Sequence, residues 1–412
     1  MIKNKIIYNV SSAFRFKLSK AQGSYLWDED GRKFIDFTSG WNVTNLGWNN
    51  HEITNAIINQ AKRNTYASMW TMDPIQEKYA EYLSSFLPKG LDAFSRETGG
   101  VNANVMAIKA ARAFTGKKKI LGFSDSFHGS LYGVLEICYK PDYLVSKSVF
   151  LDYENYVQVD FPKVRSNEKN QNEILKKFSN KIDKILSKKD FAAIICEAGI
   201  VTGWGSVYIA PDGFLTTLRG LTKKHGVLLI LDEVGTGFSR LGKLFGMQIE
   251  KVTPDFAIFA KGMSNGALPI GTMATTSDIA DSVYSKTQPQ STFGWNPIAV
   301  AAALKTLEIH NRDKVWEKAK KDGDYLIKTL KEELDDNILI DEIRGKGMEI
   351  GVIFKKGNNA IMNGILEKAF IKGLHMRMSN DYGFQLMPPL TIERSVLDKG
   401  IEIFIKTLKS FA

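Results

Sequence analysis

Four short apolar runs stand out along the chain: "KKILGF" (118–123), "FAAIIC" (191–196), "GVLLIL" (226–231) and "FAIFA" (256–260). None alternates with polar residues. A strand wetted on one face alternates, so these runs predict strands buried on both faces, as in a parallel sheet. Segments of helical pattern, such as 212–225, separate them and supply the covering layers. Ahead of them, "GSYLWDEDGRKFIDF" predicts a hairpin turning at Asp30-Gly31. After "NPIAVAAALKTLEIH" (296–310) the pattern becomes helical and charged. It then gives a strand pair around "IRGKGMEIGVIF" and an amphipathic terminal helix, "VLDKGIEIFIKTLKSF". The pattern predicts an α/β fold: a large domain (51–300) with a mostly parallel sheet between helices, a smaller α+β domain (301–412), and an N-terminal segment (1–50) packing on the smaller domain.

Length and composition are consistent with this division. The 412 residues, 44% hydrophobic and 24% charged, can bury a large core. No apolar run is long enough to span a membrane. The N-terminus "MIKNKIIYNVSSAFRFKL" has neither a continuous apolar stretch nor a small-residue cleavage site, so no signal peptide is expected. Two cysteines, Cys138 and Cys196, give no disulfide framework and suit a reducing cytoplasm. The net charge of +10 comes from 55 basic and 45 acidic residues. The basic residues are dispersed among acids along helical segments, which reads as solvated faces and not as a nucleic-acid surface. The five histidines show no metal-ligand spacing, so no metal is expected.

The candidate chemistry lies at the ends of the apolar runs, where parallel sheets bind ligands. "FAAIIC" ends in Glu197, "GVLLIL" in Asp232-Glu233 and "FAIFA" in Lys261, while "KKILGF" leads into Phe127, His128 and Gly129. A lysine behind apolar walls loses part of its preference for the ammonium form and can form a Schiff base with a carbonyl. An aspartate beside a pyridine nitrogen favours the cationic ring. An aromatic side chain can stack on that ring. Gly99-Gly100 opens a predicted helix from about 102 to 114, and free N–H groups at such an end suit a phosphate. Together these parts describe a site for pyridoxal 5′-phosphate. "GFSRLGKL" (237–244) resembles a P-loop but ends in Leu244 where the magnesium-binding hydroxyl is needed.

The segments "LLILDEVGTGFSRLGKLFG", "PDFAIFAKGMSNGALPIG" and "STFGWNPIAVAAAL", with "GSYLWDEDGRKFIDFTSG", "AIKAARAFTGKKKILGFSDSFHG", "APDGFL" and "MPPLTI", resemble class III pyridoxal-phosphate-dependent aminotransferases of fold type I. The resemblance runs from about residue 20 to 410. It implies that Lys261 holds the cofactor as an internal aldimine and shuttles a proton, and that Asp232 pairs with the ring nitrogen. It implies that Val234 and Phe127 flank the ring, that Glu197 works near His128 and Asp232, and that Gly100 and Val101 cradle the phosphate. By the same resemblance Thr292 reaches the phosphate of a partner subunit, so a homodimer with shared active sites is expected. The implied activity is transfer of an amino group from an amine, ω-amino acid or amino acid to a carbonyl acceptor. An aminomutase of the glutamate-1-semialdehyde type, or an amino-acid racemase or epimerase, is the alternative on the same scaffold.

Departures from the family pattern bear on the substrate. Val101 replaces a hydroxyl-bearing cradle residue, and Gly235 replaces a glutamine that touches the cofactor. Gln385 stands where an arginine grips an α-carboxylate, and Thr202 where that arginine's glutamate partner stands. Glutamine cannot supply the charge of the guanidinium fork, so an ornithine- or acetylornithine-type substrate is disfavoured. Trp41 and Trp70 are candidate substrate walls, with packing in the core or at a dimer interface as the other reading. Arg15 is a candidate carboxylate contact or a surface residue.

Overall fold

The structure, a computed structural model, describes residues 17–139, 151, 154–203, 207–379 and 383–412. Arg15 lies outside the described residues. In chain order, β1 (Leu18–Gln22), β2 (Tyr25–Asp28) and β3 (Lys33–Asp36) form an antiparallel meander. β4 (Ala93–Phe94), β5 (Lys119–Phe123), β6 (Tyr156–Val159) and β7 (Phe191–Glu197) belong to a seven-stranded sheet. A small hairpin, β8 (Ile200–Val201) with β9 (Tyr208–Ile209), precedes that sheet's remaining strands, β10 (Leu228–Asp232), β11 (Phe256–Phe259) and β12 (Thr272–Thr275). A second sheet holds β13 (Ile340–Lys346) and β14 (Glu349–Phe354). Between these and its last two strands, β15 (Leu374–His375) leaves to pair with β3; β16 (Arg377–Ser379) and β17 (Gly383–Leu386) complete the sheet.

The large sheet runs β4-β12-β11-β10-β7-β5-β6. The stretch from β11 to β6 is parallel throughout, and β12 is reversed. Why its strands read as unbroken apolar runs is visible in the core. Ile120, Ile195, Ile230 and Ile258 face the alanine-rich helix Gly100–Thr115, packing on Ala103, Ala107 and Ala111. Their neighbours Leu121, Ile194, Leu229 and Phe259 face the opposite layer with Phe178, Phe214 and Leu218. Small side chains on the first helix let it lie close to the sheet, and bulky aromatics fill the other face. Parallel pairing sets Asp232 level with Glu197, so acidic residues from two strands end at the same height.

A separate core lies around the second sheet, with Ile350, Val352, Phe384, Leu386 and Phe404. Ile35 and Phe37 of the N-terminal segment share it, and the helix Pro297–Arg312 contributes Ala299 and Val300 to the first core and Ala302 and Ile309 to this one. The hairpin turn after β2 is built by Asp28, whose Oδ1 accepts from the N–H groups of Asp30 and Arg32, while Gly31 takes φ 77°. β3 ends at Asp36, which is fully buried. Its carboxylate accepts from Thr38 N and Oγ1, Ser39 N and Trp48 Nε1, and meets His375 Nδ1 at 3.1 Å. One carboxylate thus ties the N-terminal segment to β15.

Candidate active site

Beyond the carboxyl ends of β7, β10 and β11 lies a cavity of about 650 Å³. Lys261, Asp232, Glu197, Phe127, His128, Gly100, Val101 and Val234 all line it, as does Trp41. Residues distant in sequence are brought together because each sits just past a strand of one sheet edge. Lys261 itself takes φ 45°, in the left-handed region that costs a non-glycine residue roughly 1–2 kcal/mol. Such strain is held by its surroundings, and here it aims the side chain into the cavity beside buried Gly262 and Met263. Burial pushes the Lys261 ammonium below its ordinary pKa, and the carboxylates of Asp232, Glu197 and Glu349 pull the other way without cancelling the effect.

Asp232 is held from three sides. Its Oδ2 meets His128 Nδ1 at 2.7 Å and accepts from Asn104 Nδ2 at 2.8 Å, and its Oδ1 accepts from Val234 N at 2.9 Å. Asn104 also donates to the carbonyl of His128 at 2.9 Å. Glu197 Oε2 accepts from both Thr202 N (2.8 Å) and Thr202 Oγ1 (2.6 Å). Burial, with Asp232 nearby, raises the Glu197 carboxyl above its usual range despite the opposing charge of His128. Three atoms on cavity-lining residues are buried without a partner among the described residues: His128 Nε2, Glu197 Oε1 and Asn104 Oδ1. Buried polar atoms are rarely left so, and their convergence on one cavity marks a place for a polar ligand.

The helix Gly100–Thr115 begins at the cavity wall. Its first described helical bond runs from Ala103 N to Gly99 O, and Gly99 carries no side chain to cap the N–H groups before it. These donors and the positive end of the helix dipole suit an anion. Gly100 is required by space: a Cβ there would lie 2.9 Å from Val234 Cγ2 and 3.4 Å from Ala260 Cβ.

Trp41 arrives by an unusual route. Ser39, Gly40, Trp41 and Asn42 have φ of 46°, 58°, 74° and 60°, a left-handed turn of four residues. Left-handed turns are disfavoured for L-residues, and this one is held from outside. Ser39 N bonds Asp36, Ser39 Oγ donates to Met387 O at 2.7 Å, and Asn42 Nδ2 donates to Glu349 Oε2 at 2.7 Å. Trp41 so placed faces Arg377, whose guanidinium carbon lies 4.0 Å from the ring centroid.

Other expectations land elsewhere. Trp70 is 83% exposed and is not part of the cavity wall of its own chain. Thr292, expected to reach the phosphate of a partner subunit and not that of its own chain, is exposed and outside that wall. Gln385 does not line the cavity: buried one layer behind it, Gln385 Nε2 donates to Glu349 Oε1 and to Thr202 O. The substitutions Gly235 and Thr202 prove to be neighbours. A Cβ at 235 would fall 2.2 Å from Thr202 Oγ1, so Thr202 in its present place excludes any side chain there. Gly235→Ala is expected to displace Thr202 from Glu197 and cost about 1–3 kcal/mol. In urea titrations, adding Thr202→Ala should recover part of that loss, as coupled neighbours do.

Arg377, Asn104 and Glu349 were not singled out from the sequence. Among the described residues Arg377 is the one guanidinium of the cavity wall, and it stands directly opposite Gln385 in the β16–β17 pairing. Opposed residues share a face, so a guanidinium is present one strand over from the place where the family pattern puts one. A helical spacing signal exists for Asn104, four residues after Gly100. The signal for Arg377 lies in strand register and is not local.

The architecture is that of fold type I pyridoxal-phosphate transferases. The (S)-enantioselective ω-transaminase from Thermomicrobium roseum superposes with a TM-score of 0.90 at 28% identity, over 97% of this chain and 93% of its own. Acetylornithine aminotransferase of Archaeoglobus fulgidus is 30% identical, over 94% of each chain. Leucine/methionine racemase of Thermococcus litoralis is 30% identical, over 93% of this chain and 88% of its own. Residues 7–408 match the model of the class-III aminotransferases. The chain belongs to the class-III aminotransferase family.

Proposed function

We propose that this chain is an aminotransferase that seats pyridoxal phosphate in the cavity and moves an amino group from a primary amine or ω-amino acid to a carbonyl acceptor. The observation that carries this reading is the meeting of Lys261 and Asp232 in one walled cavity whose far side is a helix N-terminus. The residues fit the cofactor. The N–H groups of Gly100 and Val101 suit its phosphate, Phe127 and Val234 suit the faces of its ring, and the unpartnered atoms of His128, Glu197 and Asn104 suit its polar edge. When bound, pyridoxal phosphate supplies an aldehyde that condenses with amines and a pyridinium ring that accepts the electrons of a broken C–H bond.

Each side chain then has a defined task. Lys261 Nζ, its ammonium disfavoured by burial, would hold the cofactor as the attaching amine. The same Nζ would take up and return the proton of the reacting carbon. Asp232 presents a negative charge that favours a protonated ring nitrogen, and Asn104 and His128 fix its orientation. Trp41 and Arg377 form the outer wall: the ring suits an apolar or aryl amine, and the guanidinium suits a carboxylate distant from the reacting amine.

A second copy of the chain completes the site in this reading. Tyr66, Trp70, Met72 and Phe293 are large apolar side chains exposed to solvent, and Tyr66 packs on Phe293, beside Thr292. Such exposure marks an interface, and the pairing brings the partner's Thr292 to the phosphate. Two free, buried cysteines accord with a cytoplasmic setting, and no helix among the described residues is long and apolar enough to cross a membrane.

A donor panel of aryl amines, ω-amino acids, diamines and α-amino acids tests the reading. An amine or ω-amino acid added alone should bleach the cofactor band and release a carbonyl product. Inversion of an amino acid with no acceptor consumed would instead favour racemisation, the activity named for the Thermococcus relative.

A further inference from the structure

Glu349 opens β14 and is fully buried, yet none of the described ion pairs includes it. Its two oxygens accept from neutral amides, Gln385 Nε2 on Oε1 and Asn42 Nδ2 on Oε2. Burial raises the Glu349 carboxyl above its usual range, while the charge of Arg240, these two hydrogen bonds and the charge of Lys261 pull it back; acceptance at both oxygens is the arrangement of the ionised form. The guanidinium of Arg240 is spent on Met348 O, Pro388 O and Asn45 Oδ1, so Arg240 offsets the charge only from a distance. Strand register fixes where this charge acts. Gln385 is opposite Gly351 on one side and Arg377 on the other, and Glu349 lies two residues from Gly351, on the same face. Both hydrogen-bond partners abut the cavity wall: Gln385 bonds the carbonyl of Thr202, and Asn42 sits between the wall residues Trp41 and Val43.

We infer that Glu349 is a specificity-determining residue whose buried carboxylate, behind Thr202 and Gln385, repels donors that must set an α-carboxylate against that wall and so directs a donor's carboxylate to Arg377. This rests on the reading of the cavity as a transaminase site. It deepens that reading by naming the accepted class: amines without a carboxylate, and ω-amino acids whose carboxylate reaches the Arg377 side. Discrimination by a like charge that lacks a direct ion-pair partner is an established route to specificity, and it works strongly where water is scarce. Gln385 alone would leave the wall neutral; Glu349 makes it repulsive.

The test compares wild-type and Glu349→Gln holoenzymes. The glutamine can keep both hydrogen bonds, because the unpartnered Asn42 Oδ1 turns to accept from the new amide. The ratio of kcat/KM for N-acetylornithine to that for an aryl amine is expected to rise about 10-fold. Isothermal calorimetry with glutarate, which needs no turnover, is expected to show tighter binding to the variant. Glu349→Leu removes charge and hydrogen bonds together and must shift the ratio in the same direction. A merely structural role would lower both donors alike and leave the ratio within about 2-fold of wild type, which overturns the inference. A wild-type holoenzyme that responds to no donor overturns the transaminase reading and this inference with it. One that transaminates with an unmoved ratio overturns this inference alone.

Discussion

Lys261→Ala is expected to lower transamination by about 10²–10⁴-fold, the range lost when a positioned base is removed. The same change should abolish the cofactor band that depends on covalent attachment, while the fold is retained. Little else should change, because the Lys261 side chain takes part in none of the described hydrogen bonds or ion pairs. Its φ of 45° is strained for a side-chain-bearing residue, and alanine inherits that strain in place of lysine. Thermal unfolding of the apoprotein should therefore shift only slightly, while the rate of amino transfer collapses. Added methylamine is expected to restore part of the rate, since a free amine can occupy the space the side chain vacates.

Asp36→Ala is expected to produce the largest loss of stability, about 3–5 kcal/mol at pH 7. The loss arises far from the chemistry. Five donor groups converge on this carboxylate, from Thr38, Ser39, Trp48 and His375, and alanine leaves them unsatisfied in a buried place. The pH dependence carries a sign. Burial alone would raise the Asp36 carboxyl, but the hydrogen bond and charge of His375, with Trp48 and Thr38, outweigh it and hold the carboxyl below its usual value. A depressed carboxyl stabilises the fold above its unfolded value, near pH 4, and loses that contribution as pH falls through the folded value. Urea midpoints of wild type and variant should therefore lie far apart at pH 7 and converge below about pH 4. The left-handed turn at 39–42 hangs from the same carboxylate, so Trp41 should be displaced in the variant even where the chain still folds.

What could be read from the sequence, and what could not, divides along local and non-local lines. The strands were legible because burial on both faces leaves an unbroken apolar run. Lys261, Asp232 and Glu197 were legible because a charge ending such a run sits at the one sheet edge where ligands bind. The helix at Gly100 was legible from its paired glycines. Arg377 was not, since its place beside Gln385 depends on which strands pair and in what register. Nor was Glu349, which lies within an ordinary-looking "GKGMEIG" and becomes significant only when Asn42 and Gln385 close on it. The left-handed path of Trp41 is set by Asp36, Met387 and Glu349, residues separated from it by the fold, and only Gly40 hints at it locally. Trp70 reads from the sequence as a substrate wall or as core or dimer-interface packing, and in its own chain it faces solvent. Its exposed neighbours Met72 and Phe293 put it on the surface proposed for the second copy.

Borohydride reduction of the cofactor-loaded protein, followed by proteolysis and mass spectrometry, tests most directly the assignment of Lys261 as the attachment point. A pyridoxyl group on the peptide carrying "AIFAKGMSN", at Lys261, is the predicted result. Its appearance on any other lysine, or on none while the cofactor band is present, would contradict the account.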